Sequence, residues 1–184
     1  MRTLSLVLIL LSTLCYSCGD DPMPKPSGYL ALRYEAPEYE SVDEDCPYRF
    51  EKNTRAQLTR AADCGVRLDY PQMDGAIYLT YRPVDGNLNS LLVDAQKLTY
   101  EHVVKADNIA EQQFVDESNQ VYGMLYEVSG NAASQLQFYL TDSVNHFLTG
   151  SVYFDARPNY DSILPAAHYL NQDVKHLMER FRWK

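Results

Sequence analysis

The chain lacks the short motifs that carry most nucleophilic and phosphate chemistry. It contains no G-x-S-x-G, no S-x-x-K and no H-E-x-x-H, so the usual serine-nucleophile and zinc-protease layouts are absent. It has no glycine-rich phosphate loop, which removes the ordinary nucleotide cradle. Basic residues are few: 16 Lys and Arg stand against 25 Asp and Glu, a formal net charge of −9 in 184 residues. That balance excludes nucleic acid as a partner, because binding it needs a basic patch or stripe. It also excludes a polybasic contact with anionic lipid heads. No apolar run reaches the roughly 20 residues that a helix needs to cross a bilayer.

The longest apolar run, Leu4 to Leu14 behind Arg2, instead has the layout of a secretory signal. It does not end in the small-residue A-x-A pattern of an ordinary cleavage site. Ser17 precedes Cys18, and a small residue just before a cysteine resembles the lipobox of bacterial lipoproteins, where cleavage leaves an acylated cysteine as the new N-terminus. Cys15 fits less well, because Leu14 would stand where a small side chain is required. A plain cleaved signal is the alternative. The expectation is a signal peptide over residues 1–17 and lipidation at Cys18, so the apparent C-x-x-C of Cys15 and Cys18 does not survive processing. Two or three acyl chains, each buried CH₂ contributing about 0.8 kcal/mol, make a stable anchor. Pro22, Pro24 and Pro26 make residues 18–27 a semi-rigid tether.

Processing removes one basic residue and leaves about 167 residues with 15 basic against 25 acidic side chains, enough for one domain over residues 28–184. Cys46 and Cys64 are then the remaining cysteines of an exported chain. An oxidising envelope favours a disulfide between them over two free buried thiols.

Hydrophobic periodicity outlines the domain. GYLALRY (28–34) has strand composition, a short strand is expected from Cys46, and residues 51–63 read as loop. Val66, Leu68 and Tyr70 alternate, residues 71–75 turn, and Ile77, Leu79 and Tyr81 alternate again. Residues 88–104 switch to helical spacing through Leu88, Leu91, Leu92, Ala95, Leu98 and Val103, with Asn87 or Asn89 as the N-cap. Three alternating strands follow around Tyr122–Val128, Gln135–Leu140 and Leu148–Phe154. A last helix begins near Asp161, with Ile163, Ala167, Leu170, Val174, Leu177 and Phe181 on one stripe. Short turns between alternating strands favour antiparallel pairing. The fold class expected is α+β, an antiparallel sheet packed with two main helices in a single domain.

Few residues suggest chemistry. Asp85, Asn87 and Asn89 open like a calcium loop, but the sixth position is Ser90 rather than Gly and the twelfth is Gln96 rather than Glu. His168 and His176 share the last helix but lie more than ~10 Å apart along its axis, too far for one metal. His102 and His146 stand alone. Asp43-Glu44-Asp45 reads as a solvated acidic loop before it reads as a cation site. Neither catalytic residues, a metal nor a cofactor is expected. The mature chain keeps 14 tyrosines, alternating along strands. They fill the sheet faces under helices or, alternatively, line a ligand pocket, with Tyr78, Tyr122, Tyr126 and Tyr139 as candidates.

The stretches PKPSGY (24–29), CPY (46–48), YEHVVKAD (100–107), NAASQLQFYLTDSVNHFLTGSVYF (131–154) and ARPNYDS (156–162) resemble the gliding-motility-associated GldD lipoproteins of Bacteroidetes. The likeness spans nearly the whole mature chain. It implies an envelope lipoprotein needed for gliding and linked to type IX secretion, acting through gliding and secretion proteins as partners, without enzymatic activity or cofactor. The lipidated cysteine of the family falls on Cys18 and its CPY cysteine on Cys46. The membrane contact is through acyl chains on Cys18. Gly19 rather than an aspartate follows Cys18, so the inner-membrane retention signal is absent; Asp20-Asp21 resemble an acidic surface-export tag, and the expected location is the outer membrane, at its periplasmic face.

Overall fold

The computed structural model describes residues 32–101, 106–155 and 160–184. The leader, Cys15, Cys18, the tether, His102 and Val103 lie outside them.

Five strands open the domain: β1 (Tyr39–Asp43), β2 (Tyr48–Asn53), β3 (Gln57–Arg60), β4 (Val66–Tyr70) and β5 (Gly75–Pro83). Helix α1 (Leu88–Glu101) follows, then β6 (Ala106–Asp116), β7 (Val121–Gly130), β8 (Ser134–Thr141) and β9 (His146–Phe154). Helix α2 (Tyr160–Arg180) and the two-residue strand β10 (Arg182–Trp183) complete the chain. Seven strands form one antiparallel sheet in the order β3-β4-β5-β9-β8-β7-β6, and three form a second in the order β1-β2-β10. The α+β class with two helices and antiparallel pairing is as expected.

Alternation assigns the layers. On one face of the large sheet Leu68, Ile77, Leu79, Leu125, Leu136, Phe138, Leu140, Leu148 and Val152 form the core. Leu170, Val174 and Leu177 of α2, with Phe181 directly after it, press on it, each at most 1% exposed. Fully burying side chains of this size contributes about 1.5–3 kcal/mol each, so α2 is held by packing far more than by propensity. Tyr48 and Phe50 of β2 enter the same core and seat the small sheet beside α2. The opposite face carries Tyr78, Tyr126, Gln137 and Tyr139. Helix α1 covers part of it through Leu91 and Thr99, and the Thr99 hydroxyl donates to Gln137 Oε1 at 3.0 Å.

Pairing is closest where side chains are smallest. Gly150 lies opposite Phe138, and a Cβ there would come within 2.1 Å of the Phe138 ring. The chain uses left-handed backbone at its turns: Asp74 (φ 45°) ends the 3₁₀ turn Pro71–Met73, and Gln120 (φ 52°) ends Glu117–Asn119.

Several boundaries differ from those expected. Residues 32–38 form no strand, so the described part of the 28–34 segment is irregular; Tyr34 instead packs its ring on Tyr169 at 5.3 Å. The strand expected from Cys46 begins at Tyr48, because Cys46 is held by its covalent partner. Residues 51–63 are not a loop: β2 runs to Asn53 and β3 occupies Gln57–Arg60. β6 replaces what reads as featureless sequence, making four strands between the two helices rather than three. Asn87 precedes α1, but its side chain accepts from the Asp85 N–H and so closes the preceding turn.

Candidate functional site

Cys46 and Cys64 form a disulfide with their Cα atoms 5.7 Å apart. Cys46 leads into β2 of the small sheet and Cys64 sits in the turn between β3 and β4 of the large one, so the bond staples the two sheets. The Tyr48 hydroxyl reinforces the joint by donating to the Cys64 carbonyl at 2.6 Å. Burial, with a smaller contribution from Glu44, pushes the Tyr48 phenol up to about 12.

Two acids of the run beside it are held in ion pairs. Asp43 meets Lys184 at 2.6 Å, and Glu44 meets Arg60 at 2.5 Å. These hydrogen-bonded cations hold both carboxyls below the usual carboxylate range. The histidines are separated too. His146 Nδ1 lies 2.8 Å from the Tyr81 hydroxyl, and its ring stacks on Trp183. His176 meets Glu51 at 2.7 Å and stacks on Tyr39, while His168 is exposed. Among the described residues no group of three His, Cys, Asp or Glu side chains is placed to hold a metal ion.

The most concentrated polar chemistry is a cluster that reading the sequence does not reveal. Asp173 on α2 and Asn53 at the end of β2 are 3% and 1% exposed. Tyr39 donates to Asp173 Oδ1 at 2.8 Å, and Asn53 Nδ2 donates to Asp173 Oδ2 and to the Tyr169 hydroxyl, both at 2.9 Å. Tyr70 also bonds to the carboxylate. Burial raises the Asp173 carboxyl above the ordinary range, while bonds from Asn53, Tyr39 and Tyr70 oppose the shift. Burial and the same carboxylate push the phenols of Tyr39 and Tyr70 strongly upward. The cluster joins α2, the small sheet and β4 in one enclosed network. Its polar atoms face one another, an arrangement suited to fixing α2 in place rather than to meeting a substrate.

The candidate tyrosines do not converge on one deep pocket. Tyr78, Tyr126 and Tyr139 line a cavity of about 100 Å³ between the sheet and α1; Tyr122 is not part of it. That volume holds about three waters at ~30 Å³ each and falls short of the ~300 Å³ of a typical ligand site. A wider open groove of about 620 Å³ runs past Tyr78 and Tyr153, whose rings meet edge-on at 5.7 Å. Arg67 lies 5.3 Å over the Tyr78 ring and pairs with Asp69.

The fold defines a single α+β domain in which strands dominate. No described helix is long and apolar enough to cross a membrane. The chain belongs to the gliding motility lipoprotein GldD family, whose family model matches residues 19–183. Membership brings association with the cell envelope and a part in gliding motility. No curated protein matches it.

Proposed function

We propose that the protein is a non-enzymatic, lipid-anchored component of the gliding apparatus and its type IX secretion machinery, working through protein contacts. The observation that carries this reading is the family match, which covers residues 19–183 and begins directly after Cys18. It is consistent with a signal peptide over 1–17, acylation of Cys18, a tether over 18–27 and a contact domain from residue 28. The acyl chains hold the domain at the periplasmic face of the outer membrane, and the tether sets its reach. Within the domain, Asp173, the Cys46–Cys64 bond and the packed core support rigidity, as a docking module needs.

Deleting the gene in a gliding host and complementing it tests the reading. Deletion is expected to abolish colony spreading and adhesin secretion, and the intact chain to restore both. Single changes at His146, His168, His176 or Asp45 are expected to be tolerated. One such change that kills spreading while leaving abundance and fold intact would contradict a contact role.

A second reading, a ligand-binding envelope module, draws on the groove beside Tyr78 and Tyr153. It requires a soluble envelope oligosaccharide to raise the Tm of the full chain, with the rise lost in Tyr153→Ala. No rise with the wild type removes it.

A further inference from the structure

The two margins of the large sheet are built differently. β3 is four residues long and ends in Arg60, a short and charged edge of the kind that resists pairing. β6 is eleven residues long, about 36 Å, and among the described residues β7 is its only strand neighbour. It contains no Lys, Arg or Pro, the residues that usually guard an edge. Its one register shift, between Ala106 and Asn108, disturbs only its first turn of pleat. From Asn108 to Val115 the sole charge is Glu111, which accepts from the Tyr100 hydroxyl of α1. Gln112 and Gln113 are exposed, and Val115 is 52% exposed. A long edge without Lys, Arg or Pro is a template for strand addition.

A groove of about 330 Å³ lies alongside, on the α2 side of the sheet. Asn108 and Ala110 of β6 form its rim, Glu127 and Gln135 its floor, and His168 and Asn171 of α2 its far wall. Gln135 is 4% exposed. Its Nε2 donates to the Ala132 and Gly130 carbonyls at 3.0 and 3.4 Å, which leaves Oε1 buried with no hydrogen-bond partner. A buried acceptor left unpaired is unfavourable, and a donor that reaches it recovers the loss. Glu127 adds a carboxylate, held low by Lys175 and Asn171 against the effect of burial. The groove therefore offers the unpaired Gln135 acceptor and a Glu127 carboxylate that Lys175 already meets at 2.8 Å, and Ala110 is small enough to let a long side chain pass over β6.

We propose that β6 is the docking edge for an extended basic segment of a partner protein, added as an eighth strand, with a Lys or Arg side chain entering the groove toward Gln135 and Glu127. The proposal rests on the contact reading above and specifies its surface. Main-chain bonds along β6 supply affinity, and the groove supplies choice of side chain. The chain's net charge of −9 favours a basic partner. A second copy does not suit the site: its own β6 has no Lys or Arg to place in the groove, and two acidic chains repel.

The test places photoreactive benzoylphenylalanine at Gln112 of the full chain in living gliding cells, with the same probe at Thr59 of β3 as the control edge. Crosslinked peptides are sequenced by mass spectrometry. The proposal expects a Gln112 crosslink to an extended stretch of another protein, with a Lys or Arg within two residues of the joined position. Its yield should fall at least tenfold in Ala110→Arg, which fills the groove in cis, and hold in Ala110→Ser. A crosslink to a second copy, to lipid alone, or one indifferent to Ala110→Arg overturns it. If affinity capture still recovers motility proteins but Gln112 joins none of them, the edge proposal fails and the contact reading stands. If the wild-type chain captures none, the contact reading itself fails.

Discussion

Removing the Cys46–Cys64 bond by the double substitution Cys46→Ser and Cys64→Ser tests how the two sheets are held together. The cysteines are 18 residues apart, and closing a loop of that size removes about 3 kcal/mol of chain entropy from the unfolded state. Some of this is returned. Asp63 and Cys64 adopt left-handed backbone, φ 52° and 58°, in the tight turn closed by Ala61 and Gly65. Such a conformation costs about 1–2 kcal/mol for a residue with a side chain, and freeing the turn relieves part of it. Tyr48 still donates to the Cys64 position through a backbone carbonyl, so the joint loosens without parting. The net loss expected is about 2–3 kcal/mol. At ~1–3 kcal/mol per molar urea this lowers the midpoint by about 0.7–3 M. It lowers Tm by about 4–12 °C, at ~2–4 °C per kcal/mol for a chain of this size. The single tryptophan, Trp183, reports the transition directly, because it sits in the small sheet against Phe181 at 4.6 Å and His146 at 5.2 Å. A midpoint within ~0.3 M of wild type would refute the reasoning, since the loop constraint would then have no effect on the unfolded chain.

Three further predictions concern the anchor, the buried carboxylate and the sheet. Cys18→Ala should abolish labelling of the protein by an alkyne fatty acid and release it from the membrane fraction, whereas Cys15→Leu should leave it anchored; loss of anchoring in Cys15→Leu would reopen the role of that cysteine. Asp173→Asn should cost about 1–3 kcal/mol at pH 7, because Asn53 Nδ2 would face a second amide donor. The raised Asp173 carboxyl binds its proton more tightly when folded, so its contribution is greatest below the unfolded value near 4 and is lost as pH rises through the folded value. Wild type should therefore gain on the Asp173→Asn variant as pH falls from 7, measured by paired urea titrations, and a gap that narrows contradicts the assignment. Gly123→Ala would set a Cβ 2.1 Å from the Tyr139 carbonyl oxygen, on backbone that cannot yield, and should cost about 3 kcal/mol, while Gly86→Ala, which meets nothing within 4 Å but keeps φ 65°, should cost about 1 kcal/mol in the same thermal assay.

The elements legible in the sequence are those with one buried face. β4, β5 and β7 to β9 alternate because one side meets α2, and the stripe from Ala167 of α2 to Phe181 directly after it is visible for the same reason. β1, β3 and β6 are margins with little to bury, so ADNIAEQQFVD carries no apolar period although it forms the longest strand. Its pairing is imposed by β7, not announced by its own residues. Helix α1 is legible but misleading in detail: Thr99 is buried while Leu98 is 44% exposed, since the face beneath α1 is polar and tyrosine-rich. The Asn53–Asp173 bond was out of reach because its partners lie 120 residues apart and neither belongs to a motif. The unpaired oxygen of Gln135 depends on the fold of a hairpin that no spacing specifies.

Crosslinking the intact lipoprotein in gliding cells, followed by affinity purification and mass spectrometry, tests the central claim most directly. The account predicts recovery of motor or type IX secretion proteins with the wild-type chain. Recovery of none, with the bait abundant, folded and membrane-anchored, would contradict it.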